Sequence, residues 1–129
     1  MDIPKHITAG YLRANPNLIF VFGDNLIRRG KGGAAKLRDE PNTYGFITKK
    51  YPNNMDGSFY RPEEYRIIFA RELIKLTREI VDHPNNIYLI TKLGAGLANR
   101  YHIYEHVIRP GLACFESFPN VILQANYNW

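Results

Sequence analysis

The chain has 129 residues, of which 45% are hydrophobic, 22% charged and 13% aromatic, with one cysteine and a net charge of +5. That length suits one globular domain, and the lone Cys114 excludes both an internal disulfide framework and a cysteine-rich zinc site. No apolar run approaches the ~20 residues of a membrane span, and the stretch from Met1 to His6 has no signal-type apolar core. The expectation is a cytoplasmic single domain, residues 1–129, that engages no membrane.

Leu18–Phe22 is a continuous apolar run of β-forming residues, read as a central strand buried on both faces and stopped by Gly23. Gly30 to Asp39 begins glycine-rich and turns helix-favouring, so a short helix is expected to open near Gly33. Tyr44–Thr48 is a second strand, and residues 51–61, with Pro52, Asn53, Asn54 and Gly57, read as loop. Pro62, Glu63 and Glu64 form a good helix start, and Ile67, Ile68, Leu73, Ile74, Ile80 and Val81 recur at helical spacing to about Asp82. His83-Pro84-Asn85-Asn86 ends that helix. Ile87–Thr91 is a third strand, followed by Gly94 and Gly96. His102–Phe118 is helical in pattern with a kink or split at Pro110-Gly111, and Val121–Gln124 closes the chain as a strand. Alternating strands and helices predict an α/β domain, a three-layer α/β/α sandwich, with ligands at the carboxyl ends of the strands.

Two glycine-bearing loops follow strands at that edge. One runs from Gly23-Asp24-Asn25 through Arg28, Arg29, Gly30, Lys31, Gly32, Gly33 and Ala34, and the other from Lys92 through Gly94, Ala95, Gly96 and Leu97 to Arg100. Each alone reads as a tight turn. Together at one edge they suit the two sides of a diphosphate, since exposed N–H groups at helix starts attract phosphate and glycine admits it closely. Neither loop is a Walker A, and the dinucleotide fingerprint lacks its acidic residue. Arg28, Arg29, Lys31 and Arg100 flank the loops, which shifts the meaning of the +5 from solubility toward an anionic ligand.

The segments Phe20–Leu26, Gly32–Ala35, Ile47–Lys49 and Leu93–Ala98, in this order, resemble a macro-domain-like family found in phages and bacteria. The resemblance implies a macro-like fold and a pocket for ADP-ribose or a related nucleotide diphosphate. It implies that Asn25 contacts the distal ribose, that Gly32, Gly33 and Ala34 lie beside that ribose and the diphosphate, and that Gly94, Ala95, Gly96 and Leu97 form the second phosphate loop. Tyr127 is then the candidate for stacking on adenine. A catalytic member would hydrolyse an ADP-ribosyl or terminal phosphate bond, with Asn25 and Asp24 positioning ribose and water; a non-catalytic one would sense or sequester the nucleotide. No acidic counterpart for the adenine amine occurs before Leu18.

Several residues keep two readings. Asp24 is either a base acting on a ribose hydroxyl or a turn residue bonded to its own backbone. Lys49 pairs with a phosphate or is a solvated lysine. His102 and His106, with Glu105 between them, have helical metal spacing but lack a further ligand, so neither metal nor cofactor is expected. His102 also lies close enough in sequence to the second loop to reach a phosphate. Cys114 reads as a core residue. Tyr44, Tyr51, Phe59, Tyr60 and Arg61 leave nucleic-acid binding by a basic, aromatic rim as the alternative. Nothing in the sequence specifies an oligomeric state.

Overall fold

A computed structural model describes residues 3–124. Strands β1 (Leu18–Asn25), β2 (Thr43–Lys49), β3 (Ile87–Ile90) and β4 (Val121–Leu123) form one all-parallel sheet in the order β2-β1-β3-β4. Both faces of β1 are buried, which is why it reads as an unbroken apolar run. Successive side chains point to opposite faces: Leu18, Phe20 and Phe22 pack with Ile7, Leu12 and Leu37, while Val21 packs with Tyr88, Ile90 and Phe46. Gly23 does not end β1, which continues through Asp24 and Asn25.

Helix α1 (Ala9–Ala14), unanticipated above, covers the first face. Thr8 caps it, its hydroxyl oxygen accepting the Tyr11 N–H at 3.1 Å. The buried Asn42 side chain ties α1 to the sheet by donating to the carbonyls of Leu12 and Leu18 at 2.9 and 2.8 Å.

Helix α2 (Pro62–Asp82) has the bounds its sequence predicts and covers the other face. It buries Tyr65, Phe69, Glu72, Leu76 and Ile80, whereas Ile67, Ile74 and Val81 are exposed, so the apolar residues at helical spacing include a second stripe that faces away from the core. Glu72 and Tyr65 also protect the open edge of β2. The Glu72 carboxylate accepts the Ile47 N–H at 2.7 Å, and the Tyr65 hydroxyl donates to the Ile47 carbonyl at 2.6 Å. An edge strand whose backbone groups are taken by side chains cannot template another strand there.

The expected helix over 102–118 is three short pieces: a π turn at Tyr104–Ile108, helix α3 (Arg109–Leu112) and a 3-10 turn at Ala113–Ser117. Pro110 supplies no N–H and crowds the preceding turn, so one continuous α-helix cannot pass through it. The altered phase turns Cys114 outward, and it is exposed rather than a core residue. Similarly, the segment after Gly32 forms a 3-10 turn, Gly33–Leu37, and not an α-helix.

The chain leaves β1 for β2 on one side, then crosses back to β3 on the other. The β1/β3 boundary is therefore the switch point of the sheet, where the diverging loops open a crevice at the carboxyl ends.

Candidate ligand-binding cleft

A cleft of about 280 Å3 occupies that position. Its floor is backbone. A Cβ at Gly23 would lie 3.0 Å from the Thr48 hydroxyl and 3.8 Å from the Gly94 nitrogen, so β1, β2 and the loop after β3 meet there with no side-chain bulk. Gly94 has φ +74°, and a Cβ there would overlap Ile108, so both its conformation and its packing require glycine.

One wall is the loop after β1. Asp24 is buried and its carboxylate is fully engaged. Arg38 donates to both oxygens, at 2.6 and 3.0 Å, Arg28 donates at 3.2 Å, and the Asn25 N–H donates at 2.8 Å. Arg38 also donates to the carbonyls of Gly30 and Arg29, locking the loop with one bidentate guanidinium. Gly45 on β2 makes room for this clamp, because a Cβ there would overlap the Asp24 carboxylate. The Asn25 amide closes the same loop: Nδ2 donates to the Arg29 carbonyl at 2.7 Å, and Oδ1 accepts the Ile27 N–H at 3.2 Å. Thus Asp24 and Asn25 both line the cleft, but their polar atoms chiefly organise its wall.

The opposite wall is a lid, residues 50–61, between β2 and α2. Its root is fixed by the Lys50 N–H donating to Ser58 and the Leu26 N–H donating to Lys50. Its tip carries Asp56, which accepts from the Tyr101 hydroxyl and meets Arg100 at 3.4 Å. The Tyr101 hydrogen bond, helped by the nearby Arg61 and Arg100, holds the Asp56 carboxyl below the usual range. Lys49 lies in the cleft with its ammonium donating to the Asn53 carbonyl at 2.8 Å and sitting 4.8 Å from the Phe59 ring centroid. Burial, and then the charge of Arg100, lower its pKa.

The glycine loops place Gly32, Gly33, Gly94, Gly96 and Leu97 on the cleft, along with Gly30, Thr48 and Ala98, which spacing alone did not single out. Ala95 does not line it, and its N–H closes a turn onto Lys92. Ala34 lies within the 3-10 turn, and Tyr127 lies outside the described residues. Both loops lead into short 3-10 turns, Gly33–Leu37 and Leu97–Asn99, which are too short to sum an appreciable helix dipole. Any anion must be held by local donors. Among the described residues, the N–H groups of Gly94, Gly96 and Leu97 have no protein acceptor.

The cations sort differently from their expected grouping. Arg28 is committed to Asp24, Lys31 to Asp39 and Arg100 to Asp56, leaving Arg29 without a carboxylate among the described residues. Lys49 joins it. His102 stands outside the cleft, facing Glu105 at 3.6 Å, with its ring edge-on to His106. A second hollow, about 250 Å3, lies at the ends of β3 and β4 beside Lys92, Tyr104 and Arg109.

A family model described as a family of unknown function (DUF7831) matches residues 3–102. That span contains every described residue that lines the cleft and stops before α3 and β4. No curated protein and no solved structure matches the chain.

Proposed function

We propose that this chain, which belongs to the DUF7831 family, binds a phosphorylated nucleotide of the ADP-ribose type in the cleft over the β1/β3 switch point. The observation that carries this reading is electrostatic. Among the described residues, Asp24 is the one carboxylate on the cleft and is neutralised by two guanidiniums, while Arg29, Lys49 and the N–H groups of the Gly94–Leu97 loop lack an anionic partner. Backbone N–H groups around a residue of positive φ form a concavity suited to phosphate oxygens. The bare floor at Gly23 and Gly94 lets such a group approach closely. Coverage of both sheet faces suits the three-layer, macro-like arrangement that the sequence resembles.

Within this reading, binding without turnover is favoured over hydrolysis. A general base needs a free lone pair directed at the reacting proton, and the Asp24 carboxylate is saturated by four donors. Asp24 and Asn25 are positioning residues on this account.

Calorimetric titration with ADP-ribose, ADP and ribose 5-phosphate tests the proposal. Saturable 1:1 heat is expected. Lys49→Ala is expected to weaken binding about tenfold or more, since hydrogen bonds to charged groups contribute ~1.5–3 kcal/mol. Incubation with ADP-ribose 1″-phosphate and with an ADP-ribosylated protein is expected to release no product. Nucleic-acid binding is the second reading, favoured by the exposed Tyr51 and by Arg61 over Tyr101 on the lid side, whereas Phe59 and Tyr60 of the expected rim are buried and offer no stacking face. Absence of heat with all three compounds, together with salt-sensitive oligonucleotide binding, would establish that reading instead.

A further inference from the structure

The second hollow, about 250 Å3, opens where β3 and β4 end and shares no lining residue with the cleft. Ile90 and Leu123, register partners across the two strands, give it apolar walls together with Leu112 of α3. The charged side chains of Lys92, Arg109 and Glu116 also line it, and among the described residues none of them has an ion-pair partner. Glu116 is therefore unlike Asp24, the carboxylate of the cleft, which is neutralised in place. The charges are also sorted by sign. Lys92 and Arg109 both lie against the Tyr104 ring, 5.5 and 6.0 Å from its centroid, and mark a cationic end. Glu116 comes about two turns after Arg109, through α3 and the 3-10 turn that follows it. At ~1.5 and ~2.0 Å of rise per residue the two positions stand ~12 Å apart. Leu112 and Ala113 lie between them.

We propose that this hollow binds an extended zwitterion of the lysine or ω-amino acid class. Its carboxylate lies between Lys92 and Arg109, its methylene chain runs over Leu112 and Ala113, and its terminal ammonium meets Glu116. Lys92 is half-buried, and a cation withdrawn from water without a carboxylate partner favours the arrival of an anion. An anion alone would leave Glu116 unmatched at the other end. Distance selects the rest of the class. Ion-pair contacts of ~3 Å at both ends leave ~6–9 Å between the ligand's own charges. The neighbouring charges of a simple α-amino acid are too close together to reach both ends. The six bonds from the carboxylate carbon of lysine or 6-aminohexanoate to its terminal nitrogen span ~7 Å when extended, as two residues of extended backbone do. The site is separate from the cleft, and its occupancy does not depend on what the cleft binds.

Backbone-amide NMR titration of the full chain with 6-aminohexanoate, L-lysine, hexanoate and AMP tests this. Saturable shifts are expected at Lys92, Tyr104 and Arg109–Glu116 with the first two, and none at the cleft residues Gly23–Gly33. 6-Aminohexanoate is expected to bind about three- to fivefold more tightly than hexanoate, the worth of one surface ion pair. Glu116→Gln is expected to erase that advantage and leave hexanoate binding unchanged, whereas Arg109→Gln weakens both acids. Both replaced side chains are exposed, so the fold is kept. Equal affinities for the two acids overturn the proposal and leave an anion site only. The absence of a saturable shift up to about 50 mM of 6-aminohexanoate also overturns it. So does tighter binding of AMP than of 6-aminohexanoate at the same amides, which assigns the hollow to a nucleotide.

Discussion

Asp24 lines one wall of the cleft, Asp56 lies outside the lining on the segment that forms the other, and each carboxylate is met by arginine. The Asp24 side chain is 2% exposed and is gripped in two-pronged fashion by Arg38, itself largely buried, with Arg28 adding a third contact. The Asp56 side chain is 66% exposed, and it meets Arg100 and the Tyr101 hydroxyl directly but at the solvent-facing surface. The same pairing of ions thus does two jobs. Removed from solvent, it fixes a wall, because breaking it strands buried charge. In solvent it is weak and screened by salt, so it holds residues 50–61 far less firmly than the clamp holds the loop after β1.

The sharpest way to break this contrast is Asp24→Ala. It leaves the Arg38 guanidinium uncompensated beside Phe22 and is expected to cost about 3–5 kcal/mol in denaturant unfolding. A loss under about 1 kcal/mol would mean that the clamp does not organise the wall. Gly45→Ala attacks the same clamp from β2, where a new methyl group overlaps the carboxylate, and is expected to cost about 1–3 kcal/mol. Lys49→Ala leaves both ion pairs intact, so it should reduce nucleotide affinity with little change in stability. Asp56→Asn should have the smallest effect on unfolding, and its signature is kinetic: faster ligand association and dissociation in stopped flow. Acid should mimic it. The folded-state pKa of Asp56 is depressed, so the latch is complete above the ordinary carboxylate range and is lost as pH falls through the lowered value. Lid hydrogen exchange, corrected for its intrinsic pH dependence, should therefore be unchanged from pH 7 to pH 5 and accelerate only below about pH 4.

Much of the architecture was legible along the chain. Leu18–Phe22 and Ile87–Ile90 are apolar on consecutive residues because both sheet faces are covered, and Pro62-Glu63-Glu64 marks a helix start by local chemistry alone. The alternation of strands with helices implied a layered α/β sheet with its ligand edge expected at the carboxyl ends of the strands, and that is the edge where Gly23, Gly32, Gly33 and Gly94 gather. The short α1 escaped notice although Thr8 is a good cap, because six residues carry too little periodicity to separate helix from loop.

What the one-dimensional pattern left open concerns partners distant in sequence. Nothing near Asp24 announces Arg38, fourteen residues on, so a structural carboxylate looked like a candidate base. Arg28, Lys31 and Arg100 looked available because their carboxylates arrive from elsewhere in the chain or from across a turn. On α2, helical spacing revealed apolar residues without saying which stripe meets the core, and only the approach of Tyr65 and Glu72 to β2 decided it. Propensity, capping and periodicity act over a few residues and are written in neighbours. Whether a charge is spent or free, and whether an apolar face is covered or open, depends on groups that only the folded chain brings together.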